Sequence, residues 1–346
     1  MNKFNFNLKT SRNLNNKLVR KVCEEEQIAS IEKSSAYDPK LEAATTAIRT
    51  YCKIADDKKK IVLKDLLKIA DVLKVKIGVI ENNLLPKGVR ALLVSYCNNS
   101  EVKCQILISK ALSLKEALFN IGHELGHLLT ENTPIFINDA LSSFDLYREY
   151  IKNEYEAKYI AGALLINQFE LKKYLNNNSS YDINKLAEDY NVSYETIMHR
   201  FVELTDLNVH MIKVASNGKI IKRFCRTDKN INWSNIISVC GLWAARYVIK
   251  KNIDNIISQF SIIVDDQYRD IGRYFCFAKL IRKLDGSNYS ITLGCPAKEA
   301  NKFTCYLRNA PEIRVSKLSH PCKLKLCHND KIIKIIKNRL STAKNI

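Results

Sequence analysis

At 346 residues the chain is long enough for two or three domains, and a hydrophobic content of 46% supports real cores. Ten glycines and six prolines are too few for a disordered or all-β design, and no run of about 18 apolar residues marks a membrane-spanning helix. A net charge of +19 leaves nucleic acid or an anionic membrane surface open as partners, beside the plain alternative of a basic soluble chain.

The start, Met1-Asn2-Lys3-Phe4-Asn5-Phe6-Asn7-Leu8, has no apolar stretch long enough for a signal peptide, so a cytoplasmic location is expected. Eleven cysteines, an odd number, then read as thiols or metal ligands rather than disulfides. Residues 1–60 are polar and basic, with weak helical patterns over 16–31 and 41–55. They are expected to form a helical extension packed on the next domain rather than a DNA reader. Residues 62–73 have the apolar spacing of an amphipathic helix, and 74–80 alternate as a strand does. Leu85-Pro86-Lys87-Gly88 is a turn, and 90–96 and 102–109 read as two further strands.

The stretch Ile121-Gly122-His123-Glu124-Leu125-Gly126-His127-Leu128-Leu129 follows. Leu114, Ala117, Leu118, Ile121, Leu125, Leu128 and Leu129 fall near helical spacing. Ser113 is the expected N-cap, with Lys115-Glu116 making an imperfect capping box. His123 and His127, four residues apart, stand one above the other on a helix and can reach one metal ion. Glu124 can hold a metal-bound water. Two nitrogen ligands, a carboxylate base and an open coordination position are the parts of a zinc hydrolase. A third ligand is expected from a later helix. Residues 131–150, with Pro134 and Asp139, are expected to span the cleft, and residues 153–165 supply Glu154 and Glu156 as candidates.

His123-Glu124-Leu125-Gly126-His127, followed by Glu154-Tyr155-Glu156-Ala157 and then Ala161, Leu164 and Leu165, resembles the ImmA/IrrE family of metallopeptidases. The resemblance implies a zincin-like metallopeptidase domain in an α+β chain, with Glu154 as the third zinc ligand and Glu156 as the runner-up. Three positions depart from the family pattern. Lys158 stands where Asn or Asp is usual, Ile160 where Phe is usual, and Ile166-Asn167 replaces Met-Pro. In zinc peptidases a strand edge beside the metal can take up an extended substrate. That edge is expected within residues 102–108. Tyr155, Tyr159 and His199 stand as guesses for the group that stabilises the oxyanion.

Residues 169–175 continue as helix, and 176–180 form a linker. Residues 181–201 carry a helix-turn-helix pattern, with Leu186, Ala187, Val192, Ile197 and Phe201 as its core, Asn191 in the turn and Ser193 as cap. Basic residues on its second helix are few: His199 and Arg200, beside Glu195. A structural helix pair is therefore favoured over a DNA reader.

From residue 209 the pattern changes to short strands, at 210–215, 219–226, 261–264, 274–280 and 289–293, an α+β unit with a mainly antiparallel sheet. Gly218-Lys219-Ile220-Ile221-Lys222-Arg223, Cys240-Gly241-Leu242-Trp243, Leu293-Gly294-Cys295 and Pro321-Cys322-Lys323-Leu324-Lys325-Leu326-Cys327 occur in one order. They resemble the sensor domain of short-chain fatty acyl transcriptional regulators. Some members of that family carry an iron–sulphur cluster on C-terminal cysteines. Here a four-ligand site would need Cys322 and Cys327 with Cys295 and Cys240 or Cys305, or with His320 or His328; buried thiols are the favoured alternative. Residues 331–340 form a basic amphipathic pattern that docks through its isoleucines or touches an anionic partner.

The expected organisation is an extension over 1–60, a metallopeptidase domain over 61–175, a helix-turn-helix-like unit over 176–208 and a sensor-like domain with basic tail over 209–346. The expected function is a zinc-dependent endopeptidase with Zn2+ on His123, His127 and Glu154 and with Glu124 as catalytic base. Its expected partner is a regulatory protein of the helix-turn-helix repressor kind. The competing expectation is a DNA-binding regulator that senses an acyl-CoA-type metabolite on a peptidase scaffold. Nucleic acid and a second copy of the chain are left open as partners.

Overall fold

The structure, a computed structural model, describes residues 37–55, 57–85, 89–98, 101–130, 143–217, 220–225, 236–238, 241–265, 270–282 and 287–307. The chain is a mixed α+β protein, with two sheets among these residues. Helix α1 (Pro39–Tyr51) starts where Asp38 accepts hydrogen bonds from the Lys40 and Leu41 N–H groups. It packs on the later helix that carries Glu154, as expected for residues 41–55; the weaker pattern at 16–31 lies outside the described residues. Helix α2 (Leu63–Val72) buries Leu66, Ile69 and Ala70, the stripe its spacing predicts.

Strands β1 (Val75–Ile80), β2 (Ala91–Asn98) and β3 (Glu101–Ser109) form a three-stranded sheet in the order β1-β3-β2. β2 and β3 are an antiparallel hairpin, and β1 joins β3 in parallel. This order corrects the edge expected at residues 102–108. β3 is the central strand, its backbone groups taken up on both sides, so the sheet edges fall to β1 and β2. The apolar run of β3, with Ile106 fully buried, is what a central strand requires.

Helix α3 (Leu114–Leu129) carries both histidines. Its capping box is complete: Ser113 Oγ accepts from Glu116 N–H and Glu116 Oε2 accepts from Ser113 N–H at 3.0 Å. Helix α4 (Ser143–Leu165) starts earlier than the expected connection to residue 150. Nothing from residue 143 onward is Gly or Pro until Gly162, so the helix propagates back toward the loop. Helix α5 (Gln168–Asn177) is capped by Asn167. Helices α6 (Ile183–Asp189) and α7 (Tyr194–Leu204) form the helix-turn-helix, capped by Asp182 and Ser193. Asn191 takes φ 55° in its turn. The five expected core residues are buried. So are Met198, Arg200, Val202 and Glu203, which places α7 between α4 and the following sheet rather than at a free surface.

The second sheet is antiparallel, in the order β5-β4-β9-β8-β7-β6. Its strands are β4 (His210–Ala215), β5 (Ile220–Cys225), β6 (Ile236–Ser238), β7 (Ile257–Asp265), β8 (Asp270–Arg282) and β9 (Asn288–Pro296). Helix α8 (Gly241–Lys251), which the strand reading passed over, packs on β7, β8 and β9 through Ala244, Ala245 and Val248. A continuous apolar core runs from Leu41 of α1 through α3, α4 and α7 to Leu293 and Phe303 beside the second sheet. The basic stretch 331–340 lies outside the described residues.

Candidate metal centre

The centre is built on two helices. In α3, Leu118, Ile121 and Leu125 are at most 1% exposed and bury one stripe against the core. That fixes the rotation of the helix and turns His123 and His127 to a common side. Their Nε2 atoms lie 3.3 Å apart, with the rings edge to face. α4 brings Glu154 to the same point: Oε2 is 3.6 Å from His123 Nε2 and Oε1 is 3.4 Å from His127 Nε2. One donor atom from each of the three residues falls within 4.8 Å of the others.

Two glycines let the helices come this close. A Cβ on Gly126 would stand 2.7 Å from the Ala157 carbonyl oxygen, and one on Gly122 would stand 3.4 Å from Ala161 Cα. Gly122 and Gly126 on α3 therefore face Ala157 and Ala161 on α4, four residues apart on each helix. The sequence reading did not use this pair of small-residue stripes, although both are visible in the two motifs.

Burial holds His123 down at about 4, against the pull of Glu154, so its ring is neutral at pH 7. The hydrogen bond with His127, then that with Lys158, holds Glu154 down at about 2, so it is ionised. His123 Nδ1 is buried and has no hydrogen-bond partner among the described residues. A neutral imidazole and an anionic oxygen converging beside a second imidazole suit a divalent cation, and the N,N,O donor set suits zinc. The three side chains are 12%, 17% and 23% exposed, which leaves a side open to solvent.

Glu124, next to His123 on α3, is 8% exposed. Burial pushes its carboxyl above the ordinary range; His127 and a hydrogen bond from the Leu93 main chain oppose this, and Glu154 adds to it. Leu93 belongs to β2, so the edge strand of the first sheet runs beside this carboxylate. Glu156, the alternative third ligand, lies 3.7 Å from Lys152 and is not in the group. Lys158 Nζ donates to Glu154 Oε2 at 2.9 Å, so the departure from the family pattern is in direct contact with a candidate ligand.

The three oxyanion guesses fare differently. Tyr159 is 3% exposed, donates to Glu42 Oε1 at 3.0 Å and accepts from Asp38 N–H, which turns it toward α1. Tyr155 interacts with the charges of Glu203 and Asp38 on that side. His199 stacks edge to face on Phe224 at 4.9 Å and is not in the group of three. Among the described residues no other group of three metal-ligating side chains forms. Cys295 is buried, and burial raises its thiol; Cys305 is exposed, with Sγ 3.5 Å from the Tyr181 carbonyl oxygen. Cys240, Cys322, Cys327, His320 and His328 lie outside the described residues.

A comparison with curated proteins finds no match. Among solved structures the chain is similar to a Mycobacterium tuberculosis transcriptional regulator, with 19% identity and a TM-score of 0.63. The likeness covers 83% of this chain and 84% of that one, so it extends into the second sheet. Residues 62–202, from α2 to α7, match the family model of the IrrE N-terminal-like domain, Peptidase_M78, whose fold is zincin-like.

Proposed function

We propose that this chain is a zinc-dependent endopeptidase of the ImmA/IrrE type that cleaves a regulatory protein in the cytoplasm. The observation that carries this reading is the convergence of His123, His127 and Glu154 beside the buried Glu124. His123, His127 and Glu154 would hold the ion. When bound, zinc would supply a Lewis acid that polarises the scissile carbonyl and acidifies water.

The chain's own residues do the rest. Glu124, held by the Leu93 main chain, accepts the proton of the attacking water and delivers it to the leaving amine. Its raised proton affinity suits both halves of that transfer. The edge of β2 offers main-chain groups to which an extended peptide can add as a strand. The division into an extension, a peptidase unit over 61–175, a helix pair over 176–208 and a sensor-like unit from 209 belongs to the same proposal. The solved neighbour's description as a transcriptional regulator favours a second reading, a regulator that uses the second sheet to sense a metabolite.

Glu124→Gln separates the two. It keeps the shape and a hydrogen bond but cannot accept the proton. The variant is expected to keep its zinc and lose cleavage of a co-expressed helix-turn-helix repressor from the same genome by at least about 100-fold. Cleavage at the parental rate by the variant would sink the mechanism. A parent that cleaves nothing would leave the regulator.

A further inference from the structure

The three candidate ligands are spaced as zinc ligands are. Donor atoms about 2.0–2.1 Å from a tetrahedral zinc stand about 3.3 Å from one another. The distances here are 3.3 Å between the two Nε2 atoms, 3.4 Å from His127 Nε2 to Glu154 Oε1 and 3.6 Å from His123 Nε2 to Glu154 Oε2. Each carboxylate oxygen of Glu154 thus faces one histidine. Histidines bind a metal as neutral rings, so Glu154 carries the one charge that the three residues offer a divalent ion.

That charge has a second claimant. Lys158 stands one turn on from Glu154 on α4, and its Nζ donates to Glu154 Oε2 at 2.9 Å. Carboxylate before lysine at a spacing of four is the order that a helix favours. The bond engages the oxygen that faces His123 and leaves Oε1, which faces His127. Lys158 makes no other ion pair among the described residues. Its side chain is 54% exposed, so its head can move into water while the stem stays on the helix.

We propose that Lys158 is a built-in counter-ion of the metal centre, which competes with zinc for Glu154 and lowers the affinity below what the three ligands alone would give. The inference rests on the zinc reading of the centre. Zinc bound through Oε2 has to displace the ammonium, and zinc bound through Oε1 alone sits near a like charge. Either way the pair opposes binding. The same pair gives Glu154 a partner in the metal-free chain, so the fold depends less on zinc. Lys158 acts through Glu154 and is a positioning residue: it sets how much free zinc the chain needs to fill its centre.

The test strips the purified full chain of metal and measures zinc affinity against a fluorescent chelator at pH 7 and fixed ionic strength. Lys158→Met removes the charge and keeps the stem. It should bind zinc about tenfold more tightly than the parent. Lys158→Arg keeps the charge and a donor and should stay within about threefold of the parent. Lys152→Met removes an equal charge from the same helix, where Lys152 pairs with Glu156 at 3.7 Å. It should change the affinity by less than about twofold. Added salt should narrow the gap between Lys158→Met and the parent, because a half-exposed charge is screened. In thermal melts, zinc should raise the Tm of Lys158→Met by more than that of the parent. Should Lys158→Met not fold, Lys158→Gln takes its place with the same expected gain.

Equal or weaker zinc binding by Lys158→Met, in a parent that binds zinc, overturns the counter-ion and leaves the zinc centre standing. So does an equal gain in Lys152→Met, which would make the effect one of net charge. A parent and variants that all bind no zinc overturn the centre itself and the counter-ion with it.

Discussion

Arg200 is 1% exposed, and two carboxylates meet its Nη1: Glu42 at 2.6 Å and Glu203 at 2.7 Å. Its Nη2 also donates to the Ile166 carbonyl oxygen, and its stem passes over Gly162, where a Cβ would stand 3.1 Å from Cδ. Burial raises Glu203 to about 7 although Arg200 opposes the rise. The folded chain therefore keeps this proton to a higher pH than the unfolded chain does. It binds more protons across that interval and loses stability as pH rises from the ordinary carboxylate range through about 7. Glu203→Gln keeps a partner for Arg200 and removes the titration. Thermal melts in buffers of equal ionic strength should show that the parent loses on the order of 3 kcal/mol over this interval and that the variant does not. An equal loss in both would place the titrating group elsewhere. Arg200 was read as one of few basic residues on a helix that might face DNA; its burial was not legible, because α1 and α4, which enclose it, are distant in sequence.

At the scale of elements, the decisive contact is α3 on α4. Gly126 has no space for a side chain beside the Ala157 backbone, whereas Gly122 has nearly enough beside Ala161. Gly126→Val must push α4 away, at a cost of about 1–3 kcal/mol, and carry Glu154 with it. Gly122→Ala should be mild. Zinc titration of the two purified variants should show at least about tenfold weaker binding for Gly126→Val and a near-parental value for Gly122→Ala. Equal losses would mean that helix spacing does not set the third ligand. The histidine pair, the Ser113 cap and the turn at Asn191 were legible because each is settled within a few residues by helical period or turn geometry. The order β1-β3-β2 was not, because it depends on which strand a distant segment chooses. The substrate edge was therefore assigned to the middle strand, and the bond from the Leu93 main chain to Glu124 was missed. The early start of α4 follows from the absence of Gly and Pro between residues 143 and 161 and not from the position of the Glu154 motif.

For the whole molecule, one core joins the helices of the centre to the second sheet, and α7 is enclosed between them. A helix buried on this scale cannot enter a DNA groove without unpacking the Phe201 and Arg200 contacts, which supports a structural role for the helix pair. Among the described residues no helix is long and apolar enough to cross a membrane. The two family resemblances rest on motifs that are spread along the chain. The central claim is that α3 and α4 assemble one zinc centre from His123, His127 and Glu154. Its most direct test is the zinc content of the purified full chain, measured by elemental mass spectrometry in the parent, Glu154→Ala and Glu156→Ala. The account predicts about one zinc per chain in the parent and in Glu156→Ala, and less than about a tenth in Glu154→Ala. A parent without zinc, or a Glu154→Ala chain that retains it while Glu156→Ala loses it, would contradict the account.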